Sequence, residues 1–277
     1  MMELTYLQST VHNHSTLCDG KSTLAEMAEA AFQKGVRVLG FSGHSHTPCD
    51  LEYCMSPEHT RQYRQEISRL QEEYRDRMDI LCGLEWDQFS DDDPRSYEYW
   101  IGSVHYIHGP RTGVYYPVDG DRESLTACRD ADFGGDSLAM AEAYFASVQW
   151  MAAQKPTILG HFDLIKKLNA DQWLFREDAP RYREIAVSAL EECARNVPVL
   201  EINTGAVSRG YRQDFYPADF LLRRWRELGG EAVITADCHS RENLLFAFDQ
   251  AAQAARRAGY SRVAVMNGTG GFDFCTL

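Results

Sequence analysis

Short apolar, often β-branched runs alternate with longer amphipathic ones along the chain, and this alternation constrains the fold more than any other feature. The short runs are STVHNHS from Ser9, VLGFSGH from Val38, ILCGLEWD from Ile80, IGSVHYI from Ile101, TILGHFD from Thr157, VLEINTG from Val199 and VITADCH from Val233. An eighth, RVAVMN, begins at Arg262. Strand-length runs separated by helix-length ones form βα units, which place their strands in a parallel sheet or barrel. The first helix begins after Thr23, where Thr23 and Glu26 have the spacing of a capping box, and its pattern closes at Gly35. Further helical patterns cover about 58–75, 137–154, 181–196, 217–228 and 241–258. With 277 residues, 44% of them hydrophobic, the chain suffices for one large domain spanning 1–277. Residues 106–136 are rich in Gly, Pro and Asp and break the alternation, which predicts a long loop over the barrel mouth.

Nearly every one of these runs ends in a residue that can bind a metal. His12 and His14 close the first, His44 the second, Glu85 the third, His105 the fourth, His161 the fifth, and Asp237 with His239 the seventh. In a parallel barrel the C-terminal strand ends form one ring, so residues distant in sequence converge there. Six of the nine histidines occupy this kind of position. Alternate residues of an extended chain face the same way, so His12 and His14 aim at one point. Imidazole mixed with carboxylate and no thiolate suits catalytic zinc, manganese or iron better than structural zinc, and the number of donors calls for two or three ions with Glu85 bridging. The other histidines read differently: His46 as a loop residue, His59 and His108 as solvated. The acidic run at 91–93 reads as a solvated turn, and nothing in the sequence assigns Asp87 a role.

Charge and cysteine content narrow the function. A net charge of −13 argues against a long nucleic-acid footprint, which needs a basic stripe, but admits a small anionic substrate held by local cations. Eight cysteines without a C-x-x-C pair, and no signal-peptide pattern at the N-terminus, predict reduced thiols in a cytoplasmic protein. No apolar stretch approaches the roughly 20 residues needed to span a bilayer. Cys18 has no following C-x5-R phosphate loop, so no thiol nucleophile is indicated.

The motifs VHNHSTLCDG, GFSGHS, GLEWD, GSVHYI, GHFDLIKK, LEINTG, RGYRQDFYP and TADCHS, in this order, resemble those of the polymerase and histidinol phosphatase (PHP) superfamily, most closely its monofunctional histidinol-phosphate phosphatases. The resemblance spans nearly the whole chain. It implies a distorted (β/α)7 TIM-like barrel, with RVAVMN as an extra element. It also implies one metal held by His12, His14, Glu85 and Asp237, a second by Glu85, His105 and His161, and a third by Asp19, His44 and His239. Glu85, His105, Asp237 and His239 are then expected at the reacting centre. Gly43 stands where members of the superfamily commonly have Asp, so altered support for His44 is expected.

The implied reaction is hydrolysis of L-histidinol phosphate, a step of histidine biosynthesis, by a metal-bridging hydroxide in an in-line displacement. Arg209, Lys166 and Lys167 are the cations expected to grip the phosphate. Two other readings are a PHP phosphoesterase for nucleotides, oligonucleotide ends or phosphotyrosine, and a metal-binding regulatory protein without activity. The sequence leaves the oligomeric state open.

Overall fold

A computed structural model describes residues 4–277. In chain order its elements begin with β1 (Ser9–Thr10), α1 (Leu24–Gln33), β2 (Val38–Phe41), α2 (Pro57–Glu73), β3 (Asp79–Asp87) and β4 (Tyr99–Ser103). A hairpin of β5 (Tyr106–His108) and β6 (Tyr115–Pro117) follows, then α3 (Arg122–Phe133), α4 (Ser137–Ala153) and β7 (Ile158–Leu159). The last part holds α5 (Pro180–Cys193), β8 (Val199–Asn203), α6 (Gly205–Ser208), α7 (Asp219–Glu227), β9 (Glu231–Thr235), α8 (Phe248–Arg257), β10 (Arg262–Met266) and β11 (Phe272–Thr276). No described helix is long and apolar enough to cross a membrane.

The strands form one curled sheet in the order β1-β2-β3-β4-β7-β8-β9-β10-β11. Pairing is parallel up to β10, and β11 closes the edge antiparallel to β10. At the mouth the chain just past β1 meets the chain just past β9 directly. Asn13 bridges Cys238, with His14 N donating to Cys238 O at 2.8 Å and Cys238 N to His12 O at 2.9 Å. Seven parallel strands thus ring the mouth. The RVAVMN run, β10, touches β9 through the single pair Ala264 and Val233, and meets β1 where Ser9 Oγ donates to Met266 O at 2.9 Å. The result is the distorted TIM-like barrel expected from the motifs.

Strand periodicity explains where the site lies. Val38, Leu81, Tyr99, Ile101, Ile158, Val199 and Val233 point inward and form a small buried core within the barrel. Their neighbours Leu39, Ile80, Leu84, Trp100, Leu200 and Ile234 point outward into the larger core beneath the helices. Continuing the inward parity by two or four residues along each strand brings polar groups into the barrel above that floor: Glu85 on β3, Ser103 on β4, Glu201 and Asn203 on β8, Thr235 on β9, all buried.

The helices start and stop as their sequences dictate. Thr23 and Glu26 make both hydrogen bonds of the capping box, and Gly35 has a φ of 78° just beyond the α1 end. Residues 106–136 differ from the expected loop. Their first half is a hairpin at the mouth, but Asp121 caps α3 by accepting from Ser124 N at 2.7 Å, and Leu125 and Cys128 bury its inner face. The high Gly and Asp content that suggests a loop marks the ends of this helix: Asp121 begins it and Gly134, at a φ of 60°, stops it.

The barrel floor is tightly fitted around Tyr99. Its hydroxyl, with one proton to donate, lies 2.6 Å from Val11 O and 2.9 Å from Phe41 O, and its ring crosses the empty faces of Gly40 and Gly83. A Cβ on Gly83 would lie 2.2 Å from Tyr99 Cζ. Because the hydroxyl anchors the ring, Gly83→Ala is expected to destabilise the fold by about 1–3 kcal/mol, the usual penalty of overpacking. Urea unfolding measures this, and an unchanged midpoint would contradict the account of the floor.

Candidate metal centre

Glu85 is 1% exposed and is surrounded by five imidazoles from four motifs. Its Oε2 lies 3.2 Å from His12 Nε2, 3.4 Å from His14 Nε2 and 3.1 Å from His44 Nδ1. Its Oε1 lies 2.9 Å from His161 Nε2 and 3.5 Å from His105 Nε2, and accepts a 2.7 Å hydrogen bond from Ser103 Oγ. Asp237 Oδ1 is 3.4 Å from His14 Nε2 and 3.8 Å from His12 Nε2. Asp19 draws His239 Nε2 to 3.0 Å and His44 Nε2 to 3.6 Å. All nine expected ligands therefore stand in one cluster.

The donors fit metal ions. His12 Nε2, His14 Nε2, Asp19 Oδ1, Glu85 Oε2 and His161 Nδ1 are buried without a hydrogen-bond partner, an arrangement that costs free energy unless something else satisfies them. Three groups have ligand atoms mutually within 4.8 Å: His14, Asp19, His44 and His239; His12, His14 and Asp237; and His44, Glu85 and His105. His14 and His44 each belong to two groups, which differs from the partition implied by the motifs. His161 joins through Glu85 rather than through a group of its own.

Electrostatics keep Glu85, Asp237 and His14 in metal-binding form. Burial opposes the charge on Glu85, but the facing His12, His44 and His105 hold its carboxyl well below the usual range. Burial likewise opposes ionisation of Asp237, which Arg209 and His12 nevertheless hold well below its usual range. Burial, with the neighbouring His239 and His44, pushes His14 down to about 3, so its lone pair is free at neutral pH. His44 is the opposite case: burial is outweighed by Glu85 and Asp19, which lift it to about 9.

A set of supporting residues orients the ring. Glu201, fully buried on β8, lies 2.8 Å from His12 Nδ1, and since a carboxylate only accepts, Nδ1 carries the proton and Nε2 faces the cluster. Glu201 also accepts from Thr235 Oγ1 at 2.7 Å and from Asn203 Nδ2 at 2.9 Å. Asp87 holds His105 in the same manner, accepting from its backbone N at 3.0 Å with Nδ1 at 3.2 Å. Neither role was assigned from sequence. For Glu201 the available signal was a lone charge inside the apolar run VLEIN. Gly43 packs so closely that a Cβ there would lie 3.2 Å from Met55 Sδ and 3.5 Å from Cys18 Sγ. His44 is instead held by its backbone, through a bridge to Glu85 and acceptance from Met55 N at 3.1 Å.

A cavity of about 510 Å³ opens over the cluster, lined among others by His44, Glu85, His105, Asp119, Lys167 and Arg209. Arg209 donates from Nη2 to Asp237 Oδ2 and from Nη1 to Asp237 O, both at 2.9 Å, while its buried Nε has no partner. Lys167 Nζ pairs with Asp119 Oδ2 at 3.0 Å. Lys166, expected beside it as a phosphate cation, does not reach the cavity. It is 0% exposed, with Nζ 3.0 Å from Asp163 Oδ2 and 2.8 Å from Asp214 Oδ2. Leu164–Lys166 is a 3₁₀ turn, on which successive side chains point about 120° apart, so only one of two adjacent lysines can face the site. The remaining histidines lie outside the cluster. His46 pairs with Asp91 at 2.7 Å in its loop, His59 Nδ1 meets Leu17 O at 2.9 Å, and His108 stacks on Tyr115. The acidic run is more than a solvated turn: Asp92 accepts from His46 N at 2.9 Å and Asp93 from Arg95 N at 3.1 Å.

Comparison with known proteins identifies the family of the chain. The probable histidinol-phosphatase of Deinococcus radiodurans is 29% identical over 263 residues, covering 90% of this chain and 92% of that protein. The histidinol-phosphatase of Bacillus subtilis is 26% identical, covering 86% of this chain and 96% of that one. The crystal structure of histidinol phosphate phosphatase from Lactococcus lactis, complexed with zinc, L-histidinol and phosphate, superposes with a TM-score of 0.70 at 20% identity over 96% of this chain and 99% of that one. The PHP domain model matches residues 10–205, well over half of the sequence, and the chain belongs to the PHP domain family.

Proposed function

We propose that the protein is a metal-dependent phosphomonoesterase that hydrolyses L-histidinol phosphate to L-histidinol and inorganic phosphate, a step of histidine biosynthesis. The observation that carries this reading is the convergence of five imidazoles on Glu85 beneath a cavity whose wall also holds Arg209 and Lys167. The choice of ester is supported by relatives named histidinol-phosphatase that align over 90% and 86% of this chain. Cytoplasmic placement belongs to the same proposal, supported by eight free thiols.

In this reading His12, His14 and Asp237 hold one divalent ion, Glu85, His44, His105 and His161 a second, and Asp19 and His239 complete a third with His14 or His44. Zinc, manganese and iron all suit these donors. The ions are two or three according to how the shared rings His14 and His44 divide. When bound, the metals lower the pKa of water toward neutrality and offset the charge of the phosphate oxygens. The protein's own groups do the rest. Arg209, anchored through Nη1 and Nη2 on Asp237, lines the cavity and turns its remaining guanidinium N–H capacity toward a phosphate oxygen. Lys167 presents a second cation, and Asp119, which Lys167 holds down to about 2 against the effect of burial, keeps that ammonium at the wall. Glu201 and Asp87 keep His12 and His105 in one tautomer, so their free nitrogens face the cluster.

Steady-state phosphate release from L-histidinol phosphate, AMP, phosphotyrosine and p-nitrophenyl phosphate on manganese- or zinc-loaded protein tests the reading. A kcat/KM for histidinol phosphate at least about 100-fold above the others is expected, since a site that pairs polar substrate groups rejects analogues lacking them. A flat or nucleotide-favouring profile would discard the substrate. His105→Ala is expected to lower metal content and activity together, the latter by about 100-fold or more. Full activity with full metal content in that variant would remove His105 from the centre. Arg209→Lys keeps a positive charge beside Asp237 but loses the planar fork, so KM for the ester is expected to rise about tenfold with metal content retained. Unchanged kinetics would place Arg209 outside phosphate binding.

A further inference from the structure

Lys166 is the most deeply buried cation among the described residues, and the mechanism does not use it. Its ammonium lies where two loops of the mouth meet. One loop follows β7 and carries His161 and Lys167; the other follows β8 and carries Arg209 and Tyr211. Nζ binds Asp163 on its own loop at 3.0 Å, and Asp214 Oδ2 at 2.8 Å and Phe215 O at 3.0 Å on the other. Asp163 Oδ2 in turn accepts from Ala218 N at 2.9 Å. Arg212 makes the reverse crossing, donating from Nη1 to Lys166 O at 3.0 Å and from Nε to Asp214 Oδ1 at 2.8 Å. It is fastened by two further bonds to Glu177, at 2.8 and 2.9 Å. At the cavity the same two loops meet again where Lys167 Nζ lies 4.9 Å from the centre of the Tyr211 ring.

We infer that Lys166 and its partner Asp214 are positioning residues that set the spacing between Lys167 and Arg209, the two cations that face the cavity. The inference rests on the phosphatase reading above, and it explains why a charge is kept where an apolar side chain would pack at lower desolvation cost. Buried ion pairs seldom add net stability over apolar replacements, but they do restrict the register of the parts they join. Here those parts are two loops whose relative shift would change the gap a phosphate has to bridge, and small misplacements of binding groups carry large kinetic penalties. Neither residue touches the cavity, so any effect on phosphate must pass through Lys167 and Arg209.

A double-mutant cycle with Asp214→Asn and Arg209→Lys tests this on metal-loaded protein. Asp214→Asn is preferred because its carboxylate is 41% exposed and its loss leaves fewer buried groups stranded, with Lys166→Met as the second variant. The readouts are inorganic phosphate affinity by calorimetry, KM and kcat for the ester, metal content and urea midpoint. Asp214→Asn alone is expected to weaken phosphate binding and raise KM about tenfold with kcat within about twofold, and to change affinity less than about twofold once Arg209 is already Lys. Equal effects in both backgrounds, or a shift confined to the urea midpoint, would reduce the network to a structural role and overturn the inference. A wild-type protein that binds phosphate but hydrolyses no ester would refute the proposed function while the phosphate cycle still reads the coupling. A wild-type protein that does not bind phosphate would overturn both.

Discussion

A single buried carboxylate organises this molecule. Glu85 has lost nearly all contact with water, and a charge so placed is tolerated only when other groups replace its hydration. Five imidazoles and the Ser103 hydroxyl provide that replacement, contributed by four different strand ends of the barrel wall. The dependence is mutual, because the rings are themselves buried and several face inward with unpaired nitrogens. Divalent ions at the shared focus satisfy both sets, so in the proposed reading assembly of the mouth and loading of metal are coupled.

The barrel supplies what such a cluster cannot supply for itself, a rigid frame. Tyr99 plugs the floor beneath the cluster, and glycines at 40 and 83 exist there because its ring leaves no room for a Cβ. One level higher, Glu201 ties His12 to β8 and β9 through Asn203 and Thr235, so the first motif is oriented by strands from the far end of the chain. At the mouth Asp237 adopts a φ of 46°, costly for a residue with a side chain, and Arg209 holds it there. Gly205 makes this contact possible, since a Cβ at that position would come within 2.8 Å of Asp237 Oδ2.

Charge follows the same economy. The chain carries a net −13, yet the cations that face the cavity, Arg209 and Lys167, are each already paired with an acid of the wall. Pairing fixes their direction and leaves part of their hydrogen-bonding capacity for an anion. In an acidic protein a phosphate ester therefore finds positive potential in one place only by virtue of local groups and bound metal.

Much of this was legible in the residues. The alternation of runs predicted βα units in a parallel sheet or barrel, the strand-end histidines and acids predicted a common ring, and Thr23 with Glu26 predicted the start of α1, because periods of two and 3.6 residues and cap spacings are local properties of the chain. What the sequence alone left undecided depends on partners far away. His12 and Glu201 are 189 residues apart, so a lone acid in VLEIN had no readable role. Lys166 and Lys167 are equivalent as text, but the turn that carries them buries one against Asp163 and Asp214 and presents the other to the cavity. The Gly- and Asp-rich segment after His105 looked like loop because its helix-stop and helix-cap residues resemble loop composition. Sequence by itself determined which elements form and which atoms can ligate. Only the tertiary structure decided which of them meet, because each long-range contact depends on how the whole barrel closes.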